Sequence, residues 1–468
     1  MRYPLFGLGL QGKSPNVTAQ RLENLYAEIL PAEDKTKVAF YPTPGTSLFY
    51  SFGATPIRGS HVVNVSDLSY HVHADQFYSL NNAAIATSLG TLATSAGRVA
   101  MADDGTRILM VDGTGGYYWD TGTSTFSTIV DADFPAGATT CTFLGGRMVA
   151  DDPAAPGRFR WSDQYATTWP SLNFATAEAS PDKLVSVFTL NGQLMLCGEL
   201  TTEYWGVTGD PNLPYSLISG AVIEYGLAAK HSLVKFMDTA AFLARNRMGQ
   251  VQVVRLQGYL PQIISTPELD YLMNGYAAVE GATAISYLLG GHPMLEISFP
   301  VAGKSWLFDG LSNVWSPLST GISGARHRAE IGINWINRTR VTDYSNGNLY
   351  TLEPEVYTDN ADPIVRKLIG RHVFDQEPFS VPELWVDMEG GVGLVSGQGE
   401  NPQAMLRTSK DGGHTWSNEV WAGFGAQGIY GRRAVWRRLG RARDWLFEIS
   451  VSDPVKPVFI GAFMDAVK

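Results

Sequence analysis

The feature that most constrains this chain is a weak internal repeat. Near Asp120 it reads Tyr117-Tyr118-Trp119-Asp120, with Phe126 six residues on and Ile129 nine on. Near Asp309 it reads Trp306-Leu307-Phe308-Asp309, with Trp315 and Leu318 at the same offsets. Asp163 carries Trp161 before it and Trp169 and Leu172 after it; Gly209 carries Tyr204 and Trp205 before it and Tyr215 and Ile218 after it. These four anchors are spaced by 43, 46 and 100 residues. Gly258 splits the long interval, and Asn81 and Glu353 extend the series by 39 and 44.

Each unit has a simple physical reading. An apolar strand ends in aromatics, a polar turn follows, and a second strand opens with an aromatic that packs back on the first. A period of about 40–50 residues with several short strands is the mark of a β-propeller, in which radial repetition leaves only short edges. Two β-sandwiches with evenly spaced strands would leave a similar trace. Composition agrees with either: 49 Gly, 25 Pro, 12 Trp, 20 Tyr and 21 Phe, with only 17% charged residues against roughly 25% in an average soluble domain. Such a chain can bury a large core and is not disordered.

The expected fold class is therefore all-β, with a β-propeller-like repeat region over 51–369 and an additional antiparallel, sandwich-like β domain over 370–468. Residues 1–50 are expected to form an extended N-terminal docking segment. Helical signal is confined to Pro267-Glu268-Leu269-Asp270-Tyr271-Leu272-Met273, with Thr266 as N-cap and acids in the first turn.

Few residues invite catalytic readings. His71 and His73 share one face of a probable strand, with Asp75 following; no second ligand cluster accompanies them, and solvated strand histidines explain them better than a metal site. Asp103-Asp104-Gly105 and Asp112-Gly113 lack calcium-loop spacing and read as hairpin turns. Gly390-Gly391-Val392-Gly393 lacks the strand-to-helix setting of a dinucleotide loop. Neither G-x-S-x-G nor H-E-x-x-H occurs. Ser409-Lys410-Asp411-Gly412-Gly413-His414-Thr415-Trp416 is an Asp-box, a hairpin in which Asp caps backbone N–H groups and Trp packs underneath; it specifies a turn rather than chemistry. No catalytic residue, metal or cofactor is expected.

The one dense charge cluster is Arg432, Arg433, Arg437, Arg438, Arg441 and Arg443, six arginines in twelve residues of a chain whose net charge is −10. On alternating strand positions they would fall on both faces, flanked by Trp436 and Trp445. Arginine suits bidentate contact with carboxylate or phosphate, and stacking. A subunit or partner interface is the favoured reading, ahead of local ion pairing and phosphate contact. The net charge argues against a surface that coats nucleic acid or anionic membrane. Only Cys141 and Cys197 occur, which points to a reducing compartment. Met1–Leu10 is apolar but broken by Pro4, Gly7 and Gly9, so no signal peptide is expected, and no stretch reaches a membrane span.

Several stretches, in order along the chain, resemble the tail hub proteins of short-tailed bacteriophages, also called tail accessory or packaged-DNA stabilisation proteins. They are Arg21-Leu22-Glu23-Asn24-Leu25-Tyr26-Ala27-Glu28 with Thr43-Pro44-Gly45, then Gly97-Arg98-Val99-Ala100-Met101-Ala102. Thr202-Glu203-Tyr204-Trp205, Ile223-Glu224-Tyr225-Gly226 and Ile264-Ser265-Thr266-Pro267-Glu268 follow. Val435-Trp436-Arg437-Arg438-Leu439-Gly440-Arg441-Ala442-Arg443 and Ser452-Asp453-Pro454 close the set.

The resemblance implies a non-enzymatic virion component of the tail, assembled in the host cytoplasm. It implies a ring, usually hexameric, beneath the portal and its adaptor, which extends and then closes the DNA channel. Tail fibre, spike or needle proteins would be further partners; double-stranded DNA passing through such a conduit is expected to bind weakly to a chain of net charge −10, and no membrane insertion is expected. Two other readings remain at this point. One is a carbohydrate-binding or sialidase-like propeller acting on host glycans, suggested by the Asp-box and the aromatics; the other is a host-surface adhesin.

Overall fold

Strand pairing in a computed structural model gathers this chain into seven radial sheets and one sandwich. Residues 10–31, 33–34, 36–63, 67–177 and 180–467 are described. The expectation for the apolar start therefore lies outside them, apart from Leu10.

Seven antiparallel sheets follow one another as blades. Blades one to four are four-stranded and span 57–91, 100–128, 141–176 and 184–223. Blades five and six span 225–263 and 283–326. Blade seven takes three strands from 329–353 and its outer strand, Gly45–Ser51, from the beginning of the chain. The innermost strands, among them Ile57–Val62, Ala100–Asp103, Cys141–Leu144 and Ala329–Trp335, stand side by side around the axis.

The anchors read from the sequence mark the end of the third strand of every blade. Asn81, Asp120, Asp309 and Glu353 are the last residues of such strands, and Asp163, Gly209 and Gly258 lie just beyond theirs. The aromatic six residues on returns as expected in two ladders: Trp119 faces Phe126 and Phe308 faces Trp315. Trp169 departs from that pattern, because it precedes the outer strand Phe174–Thr176. It is held by an edge contact with Phe134 and by donating from Nε1 to the Tyr118 hydroxyl.

Apolar side chains from facing blades meet in one cluster at each of the seven junctions. Trp119 and Met110 pack on Val72 and Phe77 between blades one and two. Trp161 and Phe159 meet Leu194 and Tyr215, with Trp205 at the margin, between three and four. Trp306 and Phe308 meet Leu243 and Val253 between five and six. The helix Pro267–Asn274, capped by Thr266, links those two blades and buries Leu269 and Met273 in the same cluster.

The sandwich corrects the expected domain plan. Among the described residues of 1–50, expected as an extended docking segment, Arg21–Glu23 pairs with Arg366–Ile369, and Val38–Pro42 carries Leu25–Ile29 onto Phe459–Met464. Leu22, Leu25, Ala27 and Phe40 lie in the same core as Leu384, Val386, Trp436, Trp445 and Ile449. The segment is apolar at alternate positions, and a strand of that kind gains more by joining a sheet than by lying on a surface.

The 18-residue strand Ala434–Val451 belongs to both sheets. Residues 434–445 pair with Val373–Met388, whereas residues 446–451 pair with Gln403–Ser409 and, in part, with Arg366–Ile369. Strands that switch sheets in this way build the corner of a sandwich.

Truncating Trp119 to Ala should cost about 3–5 kcal/mol, the range for losing a buried large side chain, because the ring is 6% exposed between two blades. Trp421→Ala, at 59% exposure, should stay within about 0.5 kcal/mol. Urea denaturation of both variants checks this, and equal effects would place the Trp119 ring elsewhere.

Candidate interaction surface

All six arginines of the cluster are exposed, and none enters the core. Strict alternation would turn some of them inward. The strand is not a regular alternation: Arg438 has φ +60° and Gly440 φ +98°, and the ladder to Val373–Met388 shifts register between Val381 and Glu383. A bulge inserts residues on one side of a ladder and turns side chains that alternation would bury back toward solvent. Trp436 and Trp445 take the inward positions instead, at 2% and 0% exposure.

Internal partners use only part of this charge. Arg433 Nε lies 2.8 Å from Asp387, and Arg437 Nε lies 3.0 Å from Glu383. Arg441 Nε donates to the Pro378 carbonyl at 3.1 Å. Arg432, Arg438 and Arg443 make no ion pair among the described residues. Lys410 adds a further cation by donating to the Leu439 carbonyl at 3.0 Å. Exposed pairs of this kind contribute only about 0–1 kcal/mol each, so fold stability does not explain six arginines here.

Large apolar side chains stand exposed in the same sandwich. Val420, Trp421, Ile429 and Tyr430 are all more than half exposed. Arg432 lies against Gly423 at the end of the Val420–Gly423 strand, and Tyr430 lies against Gly391. Arg, Trp and Tyr are the residue types that dominate binding hot spots. Sequence reasoning missed Trp421 and Tyr430, since nothing local separates an exposed ring from the many buried ones.

The Asp-box forms the expected turn, in the sandwich outside the repeat region. Asp411 Oδ1 accepts from the Thr415 backbone N–H at 2.9 Å and from the Ser409 hydroxyl at 2.7 Å, and Oδ2 accepts from the Thr415 hydroxyl at 2.6 Å. These donors hold its carboxyl well below the usual aspartate range. Trp416 sits beneath the Arg407 guanidinium, 5.9 Å from ring centroid to Cζ.

The hairpin also touches the segment that leads from the N-terminus. His414 bonds Asn16 at 3.3 Å, and nearby His372 Nε2 donates to the Pro15 carbonyl at 2.7 Å. Farther back along that segment, Lys13 lies over Tyr271 and Leu10 joins the cluster between blades five and six. The segment thus straps propeller to sandwich.

The remaining candidates resolve into structure. His71 is fully buried, bonded to the Ser60 and Ser69 hydroxyls at 3.0 and 2.9 Å, and burial pushes it down to about 3. It is not a solvated strand histidine. His73 is half-buried and stacks on Phe52, as His71 also packs on that ring. Among the described residues no group of three His, Cys, Asp or Glu is placed to hold a metal. Asp103 and Asp104 accept from the N–H groups of Gly105, Thr106 and Arg107, and Asp112 from those of Thr114 and Gly115, all within hairpin turns. Gly391 has φ +77° and lies in a loop after a strand, with no helix following. Burial pushes the Cys197 thiol up to about 12. No helix among the described residues is long and apolar enough to cross a membrane.

A closed seven-bladed propeller that borrows its last strand from the N-terminus, joined to a sandwich that does the same, defines a two-part all-β protein class. The chain belongs to the bacteriophage P22 Gp10 family: the family's β-propeller model matches residues 1–357 and its β-sandwich model residues 366–466. A curated relative, the tail hub protein gp10 of Salmonella phage P22, is 22% identical over 319 residues, which cover 63% of this chain. The match spans 65% of that relative's length. Among solved structures, the extracellular domain of a two-component system from B. thetaiotaomicron gives a TM-score of 0.45 at 9% identity, covering 81% of this chain and 47% of that one. A mitotic checkpoint complex chain gives 0.44 at 13% identity, covering 70% and 95%. Scores this low carry no argument.

The Asp-box generates a pH expectation. The folded value of Asp411 is depressed below the ~3.9 of a free aspartate. The turn's contribution is therefore complete above that value and is lost as pH falls toward the depressed one. Asp411→Asn should mimic the loss at neutral pH. Amide exchange at Thr415 should accelerate while that of Phe447 in the core holds; unchanged exchange at Thr415 would show that the carboxylate does not maintain the turn.

Proposed function

We propose that this chain is a structural, non-enzymatic tail hub subunit of a short-tailed bacteriophage, located in the virion tail and assembled in the host cytoplasm. The observation that carries this reading is the ordered match of both Gp10 family models across nearly the whole chain. On this reading copies form a ring, six by family resemblance, below the portal and its adaptor. The ring extends the DNA channel, retains the packaged genome and anchors fibre, spike or needle proteins.

The arginine-rich face of the sandwich is the proposed contact surface, with Arg432, Arg433, Arg437, Arg438, Arg441 and Arg443 meeting carboxylates of a neighbouring subunit or tail protein. Its support is the charge left uncompensated on that face, together with Trp421 and Tyr430 beside it. A desolvated arginine–carboxylate contact across an interface costs about 2–5 kcal/mol when one partner is removed, far more than the same pair is worth on a free surface.

Arg437→Glu combined with Arg438→Glu should abolish ring formation while circular dichroism and melting of the monomer stay as in the parent chain. Native mass spectrometry or light scattering reads the outcome, and normal ring assembly by the double variant would remove the interface assignment.

A conduit must let DNA slide, so phosphate contacts along its wall should be few. Binding of duplex DNA should be weaker than ~10 µM at physiological salt, at or below ordinary non-specific affinity. Tight binding with a steep salt slope would instead assign the arginines to the lumen.

A further inference from the structure

The innermost strand of blade five is broken. Tyr225–Leu227 and Val234–Phe236 both pair with Thr239–Asn246, and the residues between them turn inward. His231 bridges to Thr283 of blade six, and its carbonyl accepts from the Ala284 N–H at 3.0 Å. Lys230 reaches farther, donating from Nζ to the Thr139 hydroxyl in the link between blades two and three. Thr139 in turn donates to Asp151 at 2.9 Å. Blades five and three are not neighbours, so their side chains can meet only across the axis.

Arg98 enters the same space from the link into blade two. Its backbone is fixed by Arg58, which donates to the carbonyls of Ala74, Thr94, Ala96 and Gly97 at 2.6–2.7 Å. Its guanidinium faces Glu330 of blade seven at 3.9 Å, too long for a hydrogen bond. Glu330 is already engaged, because its Oε2 accepts from both Nη1 and Nη2 of Arg326 at 3.0 Å. One carboxylate therefore answers two guanidiniums.

Arg98 makes no hydrogen bond to any described residue, and 26% of its side chain is exposed. The His231 ring likewise has no hydrogen-bond partner among the described residues. Burial together with the charges of Arg98 and Lys230 pushes His231 down to about 3, so the ring is neutral and offers one N–H. Asp151 is saturated by the backbone and hydroxyl donors of Thr139 and Thr140. Arg98 and the His231 ring, donors without acceptors, thus lie with Lys230 near the starts of the innermost strands, and the charges of Arg98 and Lys230 bear on His231. A largely buried cation that shares its only carboxylate is costly, and donors of this kind match an oxyanion.

We propose that the propeller axis holds a small tetrahedral oxyanion of the inorganic phosphate class, bound by Arg98, Lys230 and His231. The anion supplies the charge that Glu330 divides between two arginines. It ties blades two, five and seven together across the ring, in a place that neighbour-to-neighbour packing does not reach.

Inorganic phosphate titrated into the full chain, at ionic strength held constant with chloride, tests this. The melting temperature should rise with a saturable dependence, following the linkage between ligand binding and stability. Arg98→Gln should weaken the apparent affinity by about tenfold or more, and without phosphate it should melt no lower than the parent, since the unpaired charge is gone. Lys230→Gln should give the same loss of affinity by an independent route if Arg98→Gln does not fold. Lys304→Gln, at an exposed strand start, should leave the response intact. A parent chain with no saturable response, axial variants that retain it, or a Lys304→Gln chain that loses it would each overturn the site.

Discussion

The pairing of Gly45–Ser51 with Asn348–Glu353 is the constraint on which the rest of the molecule depends. It joins residues some 300 positions apart and converts an open row of blades into a ring. Without it, Ile57 and Leu80 of blade one, and Ile333, Trp335 and Leu349 of blade seven, would lose the faces that cover them. The seam is reinforced from within: the Arg340 guanidinium lies 4.2 Å from the Phe49 ring of the closing strand and 4.3 Å from that of Trp335. A cation held between two rings away from water contributes on the order of 2 kcal/mol per contact. Closing so long a loop is slow and entropically costly, so the seam is expected to form last and to hold best once the other blades are in place.

That closure also decides how the sandwich is built. Only Thr43 and Pro44 separate the closing strand from Val38–Pro42, which is already in a sandwich sheet. The chain therefore crosses between the two parts at both ends of blade seven. At the joint, Asn24, in a left-handed conformation at φ +55°, accepts from the Ser319 N–H at 2.9 Å and donates to the Val365 carbonyl at 2.8 Å. Arg366, fully buried, donates to the Tyr357 carbonyl at 3.1 Å. Asp359 gathers Arg328, Thr320 and Thr46 around one carboxylate. Burying such groups is tolerable only when their bonds are made together.

How much of this was legible follows from the range of each interaction. The blade repeat was readable because it is local: a strand, its turn and the returning aromatic lie within ten residues of one another, and all seven anchors fall at third-strand ends. The helix at Pro267–Asn274 was readable because Thr266 and Pro267 are end signals. The destination of residues 21–51 was not, since Leu25-Tyr26-Ala27 reads as a strand without naming a partner near residue 460. Arginine placement failed for a subtler reason. Alternation predicts faces only while register is kept, and one residue at φ +60° resets it. His71 failed because burial depends on Phe52 and the hydroxyls of Ser60 and Ser69, which only folding brings to it.

The same contrast explains how the chain uses its few charges. Acids are largely spent on turns: Asp120 accepts from Gly122 and Thr123, Asp309 from Leu311, and Asp343 from Ser345. In these roles the carboxylate replaces a backbone acceptor and requires no basic partner. Buried arginines are satisfied in the complementary way, as Arg58 is by carbonyls and Arg340 by a carbonyl and two rings. Ion pairs inside the fold, such as Arg158 with Asp152 and Arg328 with Asp359, balance only part of the charge. Acids remain as a net −10 over the molecule, and the arginines of residues 432–443 remain exposed as the one dense basic run of the chain. A surface of net negative charge repels its own kind, and an exposed basic run within it favours partners that present carboxylates.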